Sequence, residues 1–180
     1  LSKEEAVLIL YYYLCLSDRL IYDFVIDTVY SRYIKGFLGV SNLDSENFLI
    51  KSSETHEEMK NWSERTYKDL KTALITVLLE IGFIKNRKNP VFNESLYISN
   101  KVFGYLLYFN KDIIKTIDHL NNHDDFKLFL LDKAHRKLLL KELETNGVVY
   151  LDDEGKEIKI EYLFPSLKEY VENYVVGKNA

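Results

Sequence analysis

The sequence predicts a mainly α-helical protein with one small β-hairpin near its C-terminus. Three observations predict it. Only seven Gly and two Pro interrupt 180 residues rich in Leu, Ile, Lys and Glu, and few breakers among many helix formers favour helices. Apolar residues recur at three- and four-residue spacing along most of the chain. One late segment, "VVYLDDEGKEIKIEYL", instead reads as two short arms about a turn-forming tip, the second alternating strictly, Ile158, Ile160 and Tyr162 against Lys159 and Glu161.

The first helix follows Ser2 and Glu5, an S-x-x-E capping box. In it Leu8, Tyr12 and Cys15 share a face, with Val7, Leu10 and Leu14 close by. The uninterrupted apolar run, Ala6 to Leu16, is eleven residues long, and a bilayer-spanning helix needs about 20. Asp18, Arg19, Asp23 and Asp27 follow, each costly in lipid. No cationic n-region with a small-residue cleavage site is present. The expectation is therefore a packed helical pair with no membrane span. Ser17 or Asp18 caps the second helix. There Leu20, Phe24, Val25, Thr28 and Val29 face inward and Arg19, Asp23 and Asp27 face water. Gly36 and Gly39 close the segment.

A third amphipathic stretch starts at Asp44. The best-marked helix follows in "WSERTYKDLKTALITVLLEIG". Ser63 is its N-cap, and Trp62 and Tyr67 have the spacing of a hydrophobic staple. Leu70, Leu74, Val77, Leu78 and Ile81 form its buried stripe, and Gly82 stops it. Leu20, Phe24 and Trp62 are expected in the core. Two further helices are expected near Ser99 and Asn110, the second holding Ile113, Ile114 and Ile117. Another helical region spans Asp125 to Glu144, and the hairpin occupies about 148–162. Pro165, Ser166 and Glu169 mark a last capped helix ending near Gly177. A boundary near Lys85–Glu94 divides the chain into an N-terminal helical, helix-turn-helix-like region (1–84) and a C-terminal helical region with the hairpin (85–180), unless the two form one continuous domain.

Little in the chain resembles catalytic chemistry. No H-E-x-x-H, P-loop, G-x-G-x-x-G or G-x-S-x-G motif is present. Cys15 sits among apolar residues, where a thiol is inert, and a lone cysteine fits a reducing compartment. His119 and His123 have i, i+4 metal spacing beside Asp124 and Asp125. The segment "DHLNNHDD" reads more simply as a solvated helix end. The expectation is no enzyme, no metal and no cofactor, in the cytoplasm.

The formal net charge is −4, but it is uneven. Residues 61–146 carry 14 basic and 11 acidic side chains, whereas both flanking blocks are net negative. Any nucleic-acid surface belongs to this middle block. Its first candidate is Arg65, Lys68 and Lys71 on one helix, with Lys85, Arg87 and Lys88 in the "KNRKN" loop after it. The rival is Lys133, Arg136, Lys137 and Lys141, on a helix followed by the hairpin. Both look like a helix with an adjoining wing, the arrangement by which winged-helix proteins meet duplex DNA. Spacing alone favours solvated helix faces over a DNA surface, and the hairpin tip is acidic, a poor match to phosphate.

Three segments carry a family resemblance. "EEAVLILYYYLCLSDRLIYDFVIDTVYSRY", "LDSENFL" and "WSERTYKDLKTALITVLLEIGFI" resemble, in order and spacing, the BrxA family of BREX bacteriophage-defence systems, once described as inner-membrane proteins. The resemblance covers roughly residues 4–84. Beyond residue 90, "LLLKELETNG" with the hairpin is the most suggestive part. It implies a small, soluble, mainly helical accessory protein of a prokaryotic defence locus, with winged-helix-like character and a capacity to bind double-stranded DNA. It also implies that Ser63–Thr66 begins a helix of a helix-turn-helix-like unit, and that other BREX proteins are partners. The rival functions are a protein-binding scaffold without DNA binding and a metal-dependent nuclease using His119, His123, Asp124 and Asp125.

Overall fold

The computed structural model describes residues 1–153 and 155–177. These residues are mainly helical, with one two-stranded antiparallel hairpin. The chain forms two compact units, one of Tyr11–Leu96 and one of Leu1–Leu10 with the chain from Tyr97 onward. The division falls inside α1 (Lys3–Ser17).

The Tyr11–Leu96 unit continues from α1 into α2 (Arg19–Asp23), a π-helical turn (Phe24–Tyr30) and α3 (Ser31–Ile34), an unbroken helical stretch. Asp18 caps it, accepting from the N–H groups of Leu20 and Ile21. Phe24, Val25 and Val29 are buried as expected, but Leu20 is only half-buried. The π turn holds more residues per turn than an α-helix, so a face counted at 3.6 residues per turn drifts across it. On α1, Leu8, Tyr12 and Cys15 are buried as expected. Tyr11 joins them, whereas Leu10 (68% exposed) and Leu14 (39%) face outward.

The chain then forms α4 (Asn42–Thr55) and α5 (Glu64–Glu80). Helix α4 starts before Asp44, because Ser41 and Asp44 make a capping box and Asp44 is its third residue. The Phe24 and Phe48 rings meet at 5.2 Å. Truncating Phe24, 1% exposed, to alanine is expected to cost about 3–5 kcal/mol; a denaturation midpoint equal to wild type would contradict its place in the core.

Three short extended segments close this unit. Val40 N–H donates to Pro90 O, Phe92 N–H to Leu38 O and Lys85 N–H to Val91 O. The segment around Val91 and Phe92 thus pairs with Gly39 on one side and Ile84 on the other. Gly39 is required: a Cβ there would lie 1.8 Å from the Pro90 carbonyl oxygen.

The other unit has the same element order. Helix α6 (Asn100–Phe109) is capped by Ser99, whose hydroxyl also donates to Glu5. A helix beginning at Asn110 does not form. Asn110 ends α6 instead, its amide donating to Leu106 O and to Asp125, and Ile113 is exposed. An isolated bridge at Thr116 precedes α7 (Ile117–Asn122), a 3₁₀ turn (Asp124–Phe129) and α8 (Lys133–Thr145). Then β1 (Val149–Asp152) pairs with β2 (Lys159–Tyr162) in the register Val149 to Tyr162 and Leu151 to Ile160. Thr116 bridges to Lys159. Both units therefore run helix, short extended edge, helix, helix, hairpin, with the edge pairing to the hairpin's second arm. A last helix, α9 (Leu167–Tyr170), follows its Ser166 cap. Tyr170 stacks on Tyr108 at 4.6 Å, and burial pushes its phenol pKa well up.

Candidate nucleic-acid interface

Helix α5 is held at both ends by local chemistry. Ser63 Oγ accepts from the Thr66 N–H, and the Trp62 and Tyr67 rings meet at 5.9 Å. Trp62, expected in the core, is half-buried because it packs at the rim of this N-terminal staple. At the other end Gly82 takes φ +78°, while Phe83 N–H donates to Leu78 O and Gly82 N–H to Leu79 O. Leu74, Ile75 and Leu78 are buried, which turns Arg65, Lys68 and Thr72 outward.

The three expected cations on α5 do not behave alike. Arg65 is exposed, its Nε 3.7 Å from Asp69. Lys68 is exposed as well. Lys71 turns to α4 and pairs with Glu46 at 3.0 Å. A three-residue step rotates about 300° on an α-helix, so each step moves the side chain about 60° round the axis, and two steps bring Lys71 to the α4 side.

The basic loop folds back onto α5. Arg87 Nη2 donates to Thr76 Oγ1 at 2.8 Å. Thr76 lies eleven residues beyond Arg65, which places it within about 20° of the same face. The rise from Lys68 to Thr76 is about 12 Å. Lys88 is exposed, and Lys85 lies 3.9 Å from Glu94. The loop thus adjoins the outer face of α5, where Lys68, Arg87 and Lys88 are exposed and Arg65 and Lys85 lie beside Asp69 and Glu94.

On α8, Lys133, Lys137 and Lys141 are exposed at four-residue spacing, and none makes an ion pair among the described residues. Arg136 is not part of that surface. It is 1% exposed, and its guanidinium donates to the carbonyls of Leu131, Leu120, Asn121 and His123 at 2.9–3.2 Å. It also lies 5.3 Å from the centre of the Phe126 ring. The spacing signal was present: Arg136 shares a helical stripe with Leu139, Leu140 and Leu143, which are buried. At the start of α8, partial burial raises the Asp132 carboxyl pKa. The His135 N–H and ring outweigh this and hold it below the usual carboxylate range.

His119 and His123 do not form a helical pair. Helix α7 ends at Asn122, and the His123 ring accepts from the Asp125 N–H. Among the described residues no three His, Cys, Asp or Glu side chains are grouped to hold a metal ion. No helix of the described residues is long and apolar enough to cross a membrane.

Comparison with known proteins agrees with the early segments. The BrxA family model matches residues 1–108. A protein of Bacillus cereus (strain H3081.97), "BREX protein BrxA", is 26% identical over 85 residues, which cover 47% of this chain and 42% of the relative. The matched region therefore spans less than half of that relative's length. No solved structure matches. With the family model covering more than half of its length, the chain belongs to the BrxA family.

Proposed function

We propose that the protein is a non-enzymatic accessory component of a BREX phage-defence system and binds double-stranded DNA. One observation carries the reading: the Arg87–Thr76 contact brings the basic loop onto the exposed face of α5. The order helix, short edge, helix, helix, hairpin in both units supports it: in this reading α5 and α8 are the groove-facing helices and the hairpins are their wings. Arg65, Lys68, Lys85, Arg87 and Lys88 supply the phosphate-facing charge, with Lys71 beside them. The exposed row Lys133, Lys137 and Lys141 takes the equivalent place in the other unit.

Such contacts release counterions. Fluorescence anisotropy with a labelled duplex should show affinity falling about a thousandfold between 50 and 200 mM salt if about six cations reach phosphates. Unrelated duplexes should bind similarly, since phosphates carry no base identity. Absence of duplex binding at low salt would sink this reading.

A protein-binding scaffold is the second reading, favoured by a different feature. Ile34, Phe37, Leu38 and Leu43 are all exposed, Leu38 by 82%. Apolar exposure concentrated in one short segment marks contact surfaces, and other BREX proteins are the partners this reading names.

A further inference from the structure

A groove of about 430 Å³ lies between the α2–α3 stretch and α4 in the Tyr11–Leu96 unit. The two walls run antiparallel, because Arg32 pairs with Asp44 and Phe24 meets Phe48 farther along. Phe48 lies in its lining and is 7% exposed. One wall is the π turn, a distortion that recurs at binding sites.

The polar groups of this groove divide into two sets. Asp23 is held by Arg19, and Asp44 by Arg32 and Ser41. By contrast, Asp27, Thr28 and Ser31 on one wall and Asn47, Lys51 and Ser52 on the other make no side-chain hydrogen bond or ion pair to any described residue. One unpaired carboxylate and one unpaired ammonium thus line opposite walls, together with three hydroxyls and an amide. The two pairings place Lys51 level with residues 21–25 of the opposite wall, so Asp27 is offset from it along the groove. Two like charges would select a cation or an anion. This pair selects a ligand carrying both.

We propose that the groove binds a small zwitterion of about dipeptide size, its cationic end at Asp27 and its anionic end at Lys51. The volume falls within the range of small-molecule sites, roughly 300–1,000 Å³. The hydroxyls and Asn47 hydrogen-bond the polar backbone of such a ligand, and Phe48 packs beneath it. The offset of Asp27 from Lys51 along the groove disfavours a single α-amino acid, whose two charges are carried by neighbouring atoms. None of the six groups belongs to the α5 strip, so the proposal stands or falls independently of DNA binding.

The test is a titration of ¹⁵N-labelled protein with glycyl-L-serine, followed by amide chemical shifts. Saturable shifts confined to residues 27–31 and 47–52 are expected. Glycine and the neutral N-acetylserinamide should not saturate the same amides. Asp27→Asn and Lys51→Gln each remove one charge at an exposed position and should each weaken binding about tenfold or more. The proposal is overturned by the absence of saturable shifts, by equal shifts with the neutral probe, or by unchanged affinity in both variants.

Discussion

Replacing Arg136 by alanine is expected to destabilise the protein by about 5 kcal/mol or more, at least as much as truncating Phe24. The guanidinium is buried and serves four backbone carbonyls, three of them at the end of α7 and in the turn after it. The last carbonyls of a helix have no partner within it. A buried polar group left unsatisfied costs about 1–3 kcal/mol, and several would be orphaned together. The cavity left by the side chain adds to this. Domain stabilities are about 5–15 kcal/mol, so the variant should be largely unfolded or melt far below wild type. Methionine fills similar volume without donors and should rescue little. Lysine keeps the charge but replaces a planar fork with a compact ammonium, and should rescue in part. Lys137→Ala, one residue away and exposed, should stay within about 0.5 kcal/mol. Denaturant melts by circular dichroism read all four. A wild-type midpoint for Arg136→Ala would contradict the carbonyl-capping role.

Arg136 also shows where sequence reading stops. Its charge made it a candidate phosphate contact, while its position on the leucine stripe of α8 made it a core residue. Only the location of the α7 carbonyls decides between the two, and those lie 13–16 residues away in the chain. Signals written within a few residues were legible. Ser2, Ser63, Ser99 and Ser166 all cap helices, and Gly36, Gly82 and Gly177 all take positive φ. The hairpin's second arm buries Ile160 between exposed Lys159 and Glu161, as its alternation requires.

Features set by partners distant in sequence were not legible. The edges at Gly39 and Thr116 are defined by single bridges to residues 52 and 43 positions away, and neither has strand-like length or alternation. Asn110 looks like a helix start because Asn is a good N-cap. Tertiary contact with Asp125 and its bond back to Leu106 make it a helix end instead. The basic strip divides the same way. Its members could be read from the sequence, since Lys and Arg recur at short spacing. The Arg87–Thr76 contact that joins loop to helix, and the Lys71–Glu46 pair that draws one member aside, could not.

That division selects the variant for the DNA test. Lys71 already commits its charge to Glu46, and reversing it would disturb the α4–α5 contact. Arg65 and Lys68 are exposed on the outer face, so Arg65→Glu with Lys68→Glu alters the surface and leaves the core intact. The double variant should lose affinity for every duplex alike, on the order of a hundredfold at low salt, because two phosphate contacts become repulsions. The slope of log affinity against log salt should fall by about 2. The matching variant in the other unit is Lys133→Glu with Lys137→Glu, on the exposed row of α8. Unchanged circular dichroism would first confirm that both variants are folded. If the α5 variant alone loses binding, the strip formed by α5 and the basic loop is the interface. If the α8 variant alone loses it, the interface belongs to the other unit and the α5 assignment fails. Partial loss in both, with each slope reduced, would mean that both units contact DNA. Wild-type affinity and slope in both variants would place phosphate binding on neither helix and leave the exposed segment around Leu38 as the functional surface.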